Sequence, residues 1–568
     1  MKLFARRLLG GLFVLPLLAL APRAAAAQDL SAPAYKISYT ISMPQPASHL
    51  FEVTVKVEVT GQKGATQYVD FQMPRWSPGR YAVFDFAKNV QEARAETHCE
   101  GAPGAPDCIA SNLPVTRLDT QTWRVSTTFN GARPAARGLF FYYKVFADDL
   151  SGTFSQLDAR HANFNGGSVF VYVVGHKQDP VGLKVEAPAG WKIINGHSSD
   201  TAQSEFRFPN YDILIDTPTE AAPDFTVQSF EAGGKRYRVV IHSLGPEGNN
   251  RDELVKAVEK IVRAEVATME PPEFEQYTFL FHFDPTARRG DGMEHLNSTQ
   301  IIETGALADR RVLDSALGAA AHEFFHNWNV KRLRPAGLGP WDFTRPVVTQ
   351  GLWIAEGFTN YYGKLGERRA GVWTDEDLFR SYAGAIGGIE NSPGGRLMSA
   401  VESSVLAPFL DRGSSDQRTN LANTSVSYYP KGETLGLVLD LLIRGRSKGR
   451  ASLDDVMRRA YEEFYLKSPN DSYYLKGRAY TVEDFRRVAS ETAGFDLSDF
   501  FQRHVYGVEP PPYDEALSYV GLRLVRSEEQ RAQGAGAPAT RTAYRIEKDD
   551  KAKPEALALR EAWLKGSK

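Results

Sequence analysis

The sequence predicts an α+β multidomain chain, with an N-terminal antiparallel β-sandwich-like domain followed by a mostly helical one. Three observations lead there. Between residues 35 and 232 apolar residues recur with a period of two, as in half-buried strands. Beyond residue 235 strand and helix patterns alternate and then give way to helices. Within that second half, His322-Glu323-Phe324-Phe325-His326 follows the alanines 319–321 in a stretch free of proline until Pro335, which suits a helix. The length of 568 residues leaves room for more than one core.

Met1-Lys2-Leu3-Phe4-Ala5-Arg6-Arg7 reads as a basic start, residues 8–21 as an apolar run, and Ala25-Ala26-Ala27 as a small-residue cleavage site. We therefore expect an exported, periplasmic protein cut near Ala27, with residues 1–27 as the signal peptide. Losing Lys2, Arg6, Arg7 and Arg23 moves the formal charge from −2 to −6, which speaks against nucleic acid as a partner. No later apolar stretch approaches the length of a membrane span. Residues 28–234 form the expected β domain, 235–512 the second domain, and 513–568 a short, highly charged tail with a linker-like Gln533–Pro538 segment.

In the β domain, Ile37, Tyr39, Ile41 and Met43 alternate with mostly polar residues, as do Phe51, Val53, Val55, Val57 and Val59; 138–145 and 168–173 read as further strands. Trp76-Ser77-Pro78-Gly79-Arg80-Tyr81 reads as a turn with an aromatic anchor. With no catalytic constellation of its own, this domain is expected to wall a cleft. Cys99 and Cys108 bracket a Gly/Pro-rich loop, and in an exported chain such a pair reads as a disulfide.

The second half opens with a helix over 251–268, capped from Asn249-Asn250, and a strand over 277–283. On the next helix His322 and His326, four residues apart, can converge on one ion, while Glu323 lies about 100° round and can act on the attacking water. The blander reading is a pair of ordinary helix histidines. A third ligand is offered by Glu356, an acid amid the apolar residues of 350–362 that is costly to bury without a cation. Two histidines and a Glu suit Zn2+, one per chain, with a coordination position left open for hydrolysis. Asn360, one turn on, could support a ligand histidine or simply face solvent. Lys331, Arg332 and Arg334 lead into a proline-rich stretch read as a solvated connector. The remaining histidines, His282 and His504 included, are read as ordinary. Ser452 and Thr481, each followed by acids, are read as caps of two later helices.

Trp353-Ile354-Ala355-Glu356-Gly357-Phe358, its spacing from the His pair, and His326-Asn327-Trp328-Asn329-Val330-Lys331-Arg332-Leu333-Arg334-Pro335 resemble peptidase family M61, the glycyl aminopeptidases of the gluzincin clan. The resemblance covers roughly residues 35–512 and implies a thermolysin-like zinc peptidase domain. Gly292-Met293-Glu294-His295 resembles that family's exopeptidase motif, which assigns Gly292, Met293 and Glu294 to substrate binding, with Glu294 on the peptide's free N-terminus. Tyr429, in Tyr428-Tyr429-Pro430-Lys431-Gly432, resembles the tyrosine that donates to the oxyanion, with Tyr428 as the fallback. Glu323 is then the general base. The implied activity is a zinc aminopeptidase that removes small N-terminal residues, Gly or Ala, from peptides in the cell envelope. The alternatives are a zinc endopeptidase and a catalytically silent periplasmic peptide-binding protein. Many members of the family continue into a PDZ domain, but a complete one is not expected here.

Overall fold

The computed structural model describes residues 35–60, 67–98, 111–127, 138–411, 418–470, 472, 475–530 and 540–566. The export segment 1–27, the Cys99–Cys108 pair and the 533–538 linker lie outside the described residues.

The period-two pattern of the first half produces a β domain of packed sheets. Its largest sheet runs in the order Glu205–Phe208, Val181–Glu186, Tyr35–Ser42, Leu50–Val59, Gly138–Phe146, Val90–Thr97, Asn112–Leu113. Neighbours are antiparallel except Tyr35–Ser42 with Val181–Glu186, which run parallel. Phe141 of this sheet stacks on Phe71 of a second sheet at 4.4 Å, and Ile37, Tyr39, Ile41, Val53, Val55 and Val57 are buried as their alternation required.

One expected strand is mostly absent. Over residues 168–173 only Tyr172–Val173 pairs as a strand. The buried backbone of Val169, Phe170 and Val171 instead meets tyrosine hydroxyls. Tyr143 donates to the Val169 carbonyl (2.9 Å), Tyr211 to that of Phe170 (2.6 Å) and Tyr39 to that of Val171 (3.0 Å), while the Val171 N–H donates back to Tyr143 (3.1 Å). Buried polar backbone groups must find partners, and phenols supply them here in place of a neighbouring strand.

The second half is built on a mixed sheet, in order Thr226–Ala232, Lys235–Ser243, Gln276–Phe283, Ser298–Glu303, Asp291–Glu294. Its central strands run parallel, and the helix Asn250–Met269 crosses between the first two of them. The helix Arg310–Phe325 starts from Asp309, whose side chain accepts from the Arg311 N–H. The predicted second helix is broken into Leu352–Ala355 and Gly357–Arg369, with Glu356 at the junction. The helix Tyr428–Arg446 crosses there: a Cβ on Gly432 would lie 1.9 Å from the Trp353 carbonyl oxygen, and one on Gly357 would lie 2.3 Å from the Gly432 Cα. Only glycine allows this approach, which brings Glu356 and Tyr429 to one place. Ser452 and Thr481 form capping boxes with Asp455 and Asp484, as their spacing predicts.

The charged tail reading needs correction. Residues 513–566 include the helix Tyr513–Tyr519, the hairpin Leu522–Gln530 with Thr540–Lys548, and the helix Pro554–Lys565. The last helix is anchored by the fully buried Trp563, whose indole N–H donates to the Tyr361 hydroxyl (2.8 Å) above the buried Asp440. One aromatic anchor and apolar residues hidden among charges are enough to dock the segment. Among the described residues no helix is long and apolar enough to cross a membrane.

Two buried acids, Glu265 and Glu367, sit where the helices Asn250–Met269 and Gly357–Arg369 meet. Burial raises both carboxyl pKa values, that of Glu367 to about 8, and Glu367 adds to the rise at Glu265. A raised folded-state pKa means stability that is whole below the unfolded value and is lost as pH rises through the folded one. Glu367→Gln is therefore expected to raise Tm at about pH 9 and to change it little at about pH 5, measured by thermal melts at both. Equal shifts at the two values would count against buried protons here.

Candidate metal centre

His322 lies in the last turn of Arg310–Phe325 and His326 caps its end, so their imidazoles project from one face. Their Nε2 atoms are 3.0 Å apart, and Glu356 Oε2 lies 3.5 Å from the first and 3.4 Å from the second. Ligand atoms around a tetrahedral zinc with bonds near 2.0–2.1 Å are spaced by about 3.3 Å. The triangle fits zinc. The outer nitrogen of His326 donates to the Asn329 carbonyl at 2.7 Å, which leaves Nε2 with its lone pair toward the site. Asn360 makes no hydrogen bond to either histidine. Thr359, its neighbour, sits 3.4 Å from His326 Nδ1 instead.

Glu323 is 7 % exposed, and among the described residues its Oε2 has no hydrogen-bond partner. Burial pushes its pKa up to about 8, Glu294 and Glu356 add to the rise, and His326 opposes it. Glu356 is held below the usual carboxylate range because His326 and His322 outweigh the effect of its burial. A Cβ on Gly292 would lie 2.2 Å from Glu323 Oε1, so the acid would have to shift if any larger residue stood there.

The four residues of the exopeptidase-like motif are placed in four different ways. The Glu294 carboxylate shares ligand-type proximity with Glu323 and His326, all within 4.8 Å of one another, and lines a pocket of about 310 Å³ with Gly79, Tyr81 and Lys331. Gly292 abuts Glu323. Met293 is 1 % exposed and packed beneath Gly79 and Gly152, so its side chain supports the strand and does not reach the pocket. Strand alternation turns it away from the cleft. His295 bonds Asp216 at 3.1 Å, away from Glu294.

Tyr429 places its ring 6.2 Å from that of His322, while Tyr428 is buried against Tyr429 and Tyr81. Burial holds the Tyr429 hydroxyl protonated, as a donor must be.

The sequence reading missed what the β domain brings. Tyr81 donates a hydrogen bond to Glu356 Oε1, the oxygen turned away from the histidines. Arg80 pairs with Asp291 at 2.6 Å and donates to the Gly292 carbonyl at 3.1 Å, which holds the strand carrying Glu294. Gly79, at φ +88°, lets the turn close on Glu294, since a Cβ there would meet Glu294 Oε2 at 2.8 Å. The aromatic anchor in residues 76–81 was the available signal. The basic stretch after His326 also differs from expectation. Arg332 and Arg334 are buried on carbonyls of Asn327, Glu273 and Lys476, and Lys331 pairs with Asp216 at 2.8 Å. Five N–H donors let an arginine collect such carbonyls where solvent is absent.

Tyr81→Phe is expected to weaken zinc by about 10- to 100-fold, because ligand orientation is lost while the ligands remain. Competition with a chelator measures it, and unchanged affinity would remove Tyr81 from the site's support.

Two family models match the chain, the peptidase M61 N-terminal domain over residues 38–223 and M61 glycyl aminopeptidase over residues 315–435, together more than half of it. No curated protein matches. Among solved structures the chain is similar to an aminopeptidase N family protein from Idiomarina loihiensis, 26% identical, covering 86% of this chain and 79% of that one, with a TM-score of 0.75. It overlaps more loosely with an M1 zinc metallopeptidase from Deinococcus radiodurans, 12% identical over 84% of this chain and 94% of that one (TM-score 0.47). A variant of that enzyme bound to a Tyr-Ser-Ala substrate gives 14% identity over the same shares and the same TM-score.

Proposed function

The chain belongs to peptidase family M61, and from that premise we propose that this zinc metallopeptidase is an aminopeptidase taking glycine or alanine from the free N-termini of peptides in the cell envelope. The observation that carries the reading is the buried Glu294 carboxylate, which lies beside Glu323 and His326 and lines the pocket with Gly79 and Tyr81. A protonated α-amine would satisfy it by a charge-assisted hydrogen bond and set the scissile carbonyl next to the metal triad. Gly79 and Tyr81 close on the same carboxylate, and a wall so near the amine anchor favours a small first side chain.

His322, His326 and Glu356 would hold the zinc, which supplies Lewis acidity toward the carbonyl and the attacking water. Glu323 takes the water's proton on its unpartnered Oε2 and passes it to the leaving amine. Tyr429 donates its hydroxyl to the oxygen that gains charge as the carbonyl carbon becomes tetrahedral. Arg80 and Asp291 keep Gly292 and Glu294 in place.

The test is release of free amino acid from a panel of X-Ala-Ala peptides with N-acetylated controls. Zinc-dependent release from free N-termini only, led by glycine, is expected; equal cleavage of blocked peptides would make the protein an endopeptidase. Export is supported by the basic start, apolar run and Ala25-Ala26-Ala27 site, and a mature N-terminus near residue 28 in the periplasmic fraction tests it.

A further inference from the structure

We infer that His161, Glu220, His242 and His282 form a second metal site, closed and structural, for zinc or a similar first-row divalent ion. The four side chains are 0, 1, 2 and 3 % exposed, and one potential ligand atom from each lies within 4.8 Å of all the others. They come from two bodies of the fold. His161 and Glu220 belong to the β domain, at and beside the paired strands Ala162–Phe164 and Thr219–Ala222. His242 and His282 face each other in register on the parallel strands Lys235–Ser243 and Gln276–Phe283.

Three ring nitrogens converge on one carboxylate. His161 Nδ1 and His242 Nδ1 lie 3.1 and 2.9 Å from Glu220 Oε1, and His282 Nε2 lies 3.0 Å from Oε2. Two of the three outer nitrogens face acceptors: His161 Nε2 meets Gln156 Oε1 at 2.9 Å, and His242 Nε2 meets Asp224 Oδ1 at 3.3 Å. A neutral imidazole has one N–H, and with that hydrogen turned outward the inner nitrogen presents a lone pair to the centre. This is the arrangement of a metal-ligating histidine, whose other nitrogen is oriented by a carboxylate or carbonyl.

His282 sharpens the point. Its Nε2 is also 3.2 Å from the amide nitrogen of Asn163, which donates to Glu220 Oε2 (3.1 Å) and whose oxygen accepts from Gln300 (2.6 Å). Where Nε2 accepts from that amide it presents a lone pair, and the same nitrogen faces a carboxylate oxygen at 3.0 Å. Lone pairs against a carboxylate in a dry interior repel unless a cation lies among them. Charging all three rings would instead bury a net positive cluster, which is costly without further partners. A divalent ion satisfies every inner atom at once. Three histidines and a carboxylate complete a tetrahedron and leave no position for water, so the site holds structure and performs no hydrolysis. It would staple the β domain to the sheet of the peptidase domain.

The experiment counts metal per chain in full-length protein purified without chelator in zinc-containing buffer. Wild type should carry two equivalents of zinc, and His326→Ala and His282→Gln about one each. X-ray absorption of His326→Ala, which leaves the second cluster untouched, should show three imidazoles and a carboxylate oxygen at about 2.0–2.2 Å. A folded His326→Ala protein without metal, or with zinc whose spectrum lacks that imidazole shell, overturns the inference. This readout does not depend on peptide hydrolysis, so failure of the aminopeptidase reading leaves it intact.

Discussion

Glu323→Gln is expected to lower kcat on Gly-Ala-Ala by on the order of 10³-fold while leaving the zinc content unchanged. The substitution keeps the volume that fits against Gly292, where even a methyl group would collide with the carboxylate, so the helix and its two histidines stay in place. What is lost is the ability to accept and return a proton. Because Glu323 is not one of the three atoms of the metal triangle, a matched zinc measurement separates chemistry from metal loss. Retention of kcat to within about tenfold would remove Glu323 as the base, since general base catalysis is worth about 10²–10⁴.

Glu294→Gln is expected to raise KM for free-amine peptides by about 10- to 100-fold, the loss of one charge-assisted hydrogen bond of roughly 1.5–3 kcal/mol. Any slow cleavage of N-acetylated peptides should stay where it was, so the preference for free amines collapses while zinc and Glu323 remain. A fall in kcat with KM untouched would instead place Glu294 in the chemical step. The two variants thus divide the site into a part that breaks the bond and a part that chooses the peptide.

What could be read from the chain alone follows from how local each feature is. His322 and His326 share a helix face by their spacing, Glu356 is an acid in an apolar run, and Ser452 and Thr481 cap helices through bonds spanning three residues. Such features depend on a turn or two of backbone. Tyr81 and Glu356 are 275 positions apart and Arg80 and Asp291 are 211 apart, so nothing in either neighbourhood announces the other. The His161, Glu220, His242 and His282 cluster is the extreme case. Each residue alone resembles an ordinary polar position in a strand, and only strand register brings them together. Residues 168–173 failed for a different reason: strands and buried extended chain bonded by phenols share the same apolar pattern. Arg332 and Arg334 failed because charge was taken to mean solvent, when carbonyls can take its place.

The hydroxyl that Tyr81 offers to Glu356 also joins parts of the site that are made far apart in time. Synthesis delivers the turn 76–81 long before the helices that carry His322, His326 and Glu356. The earliest-made part of the site therefore waits for the latest. Without the β domain seated on the second half, Glu356 would lack this donor and the amine pocket would lack its Gly79 and Tyr81 side. The complete site therefore belongs to the two halves together, and neither half carries it alone.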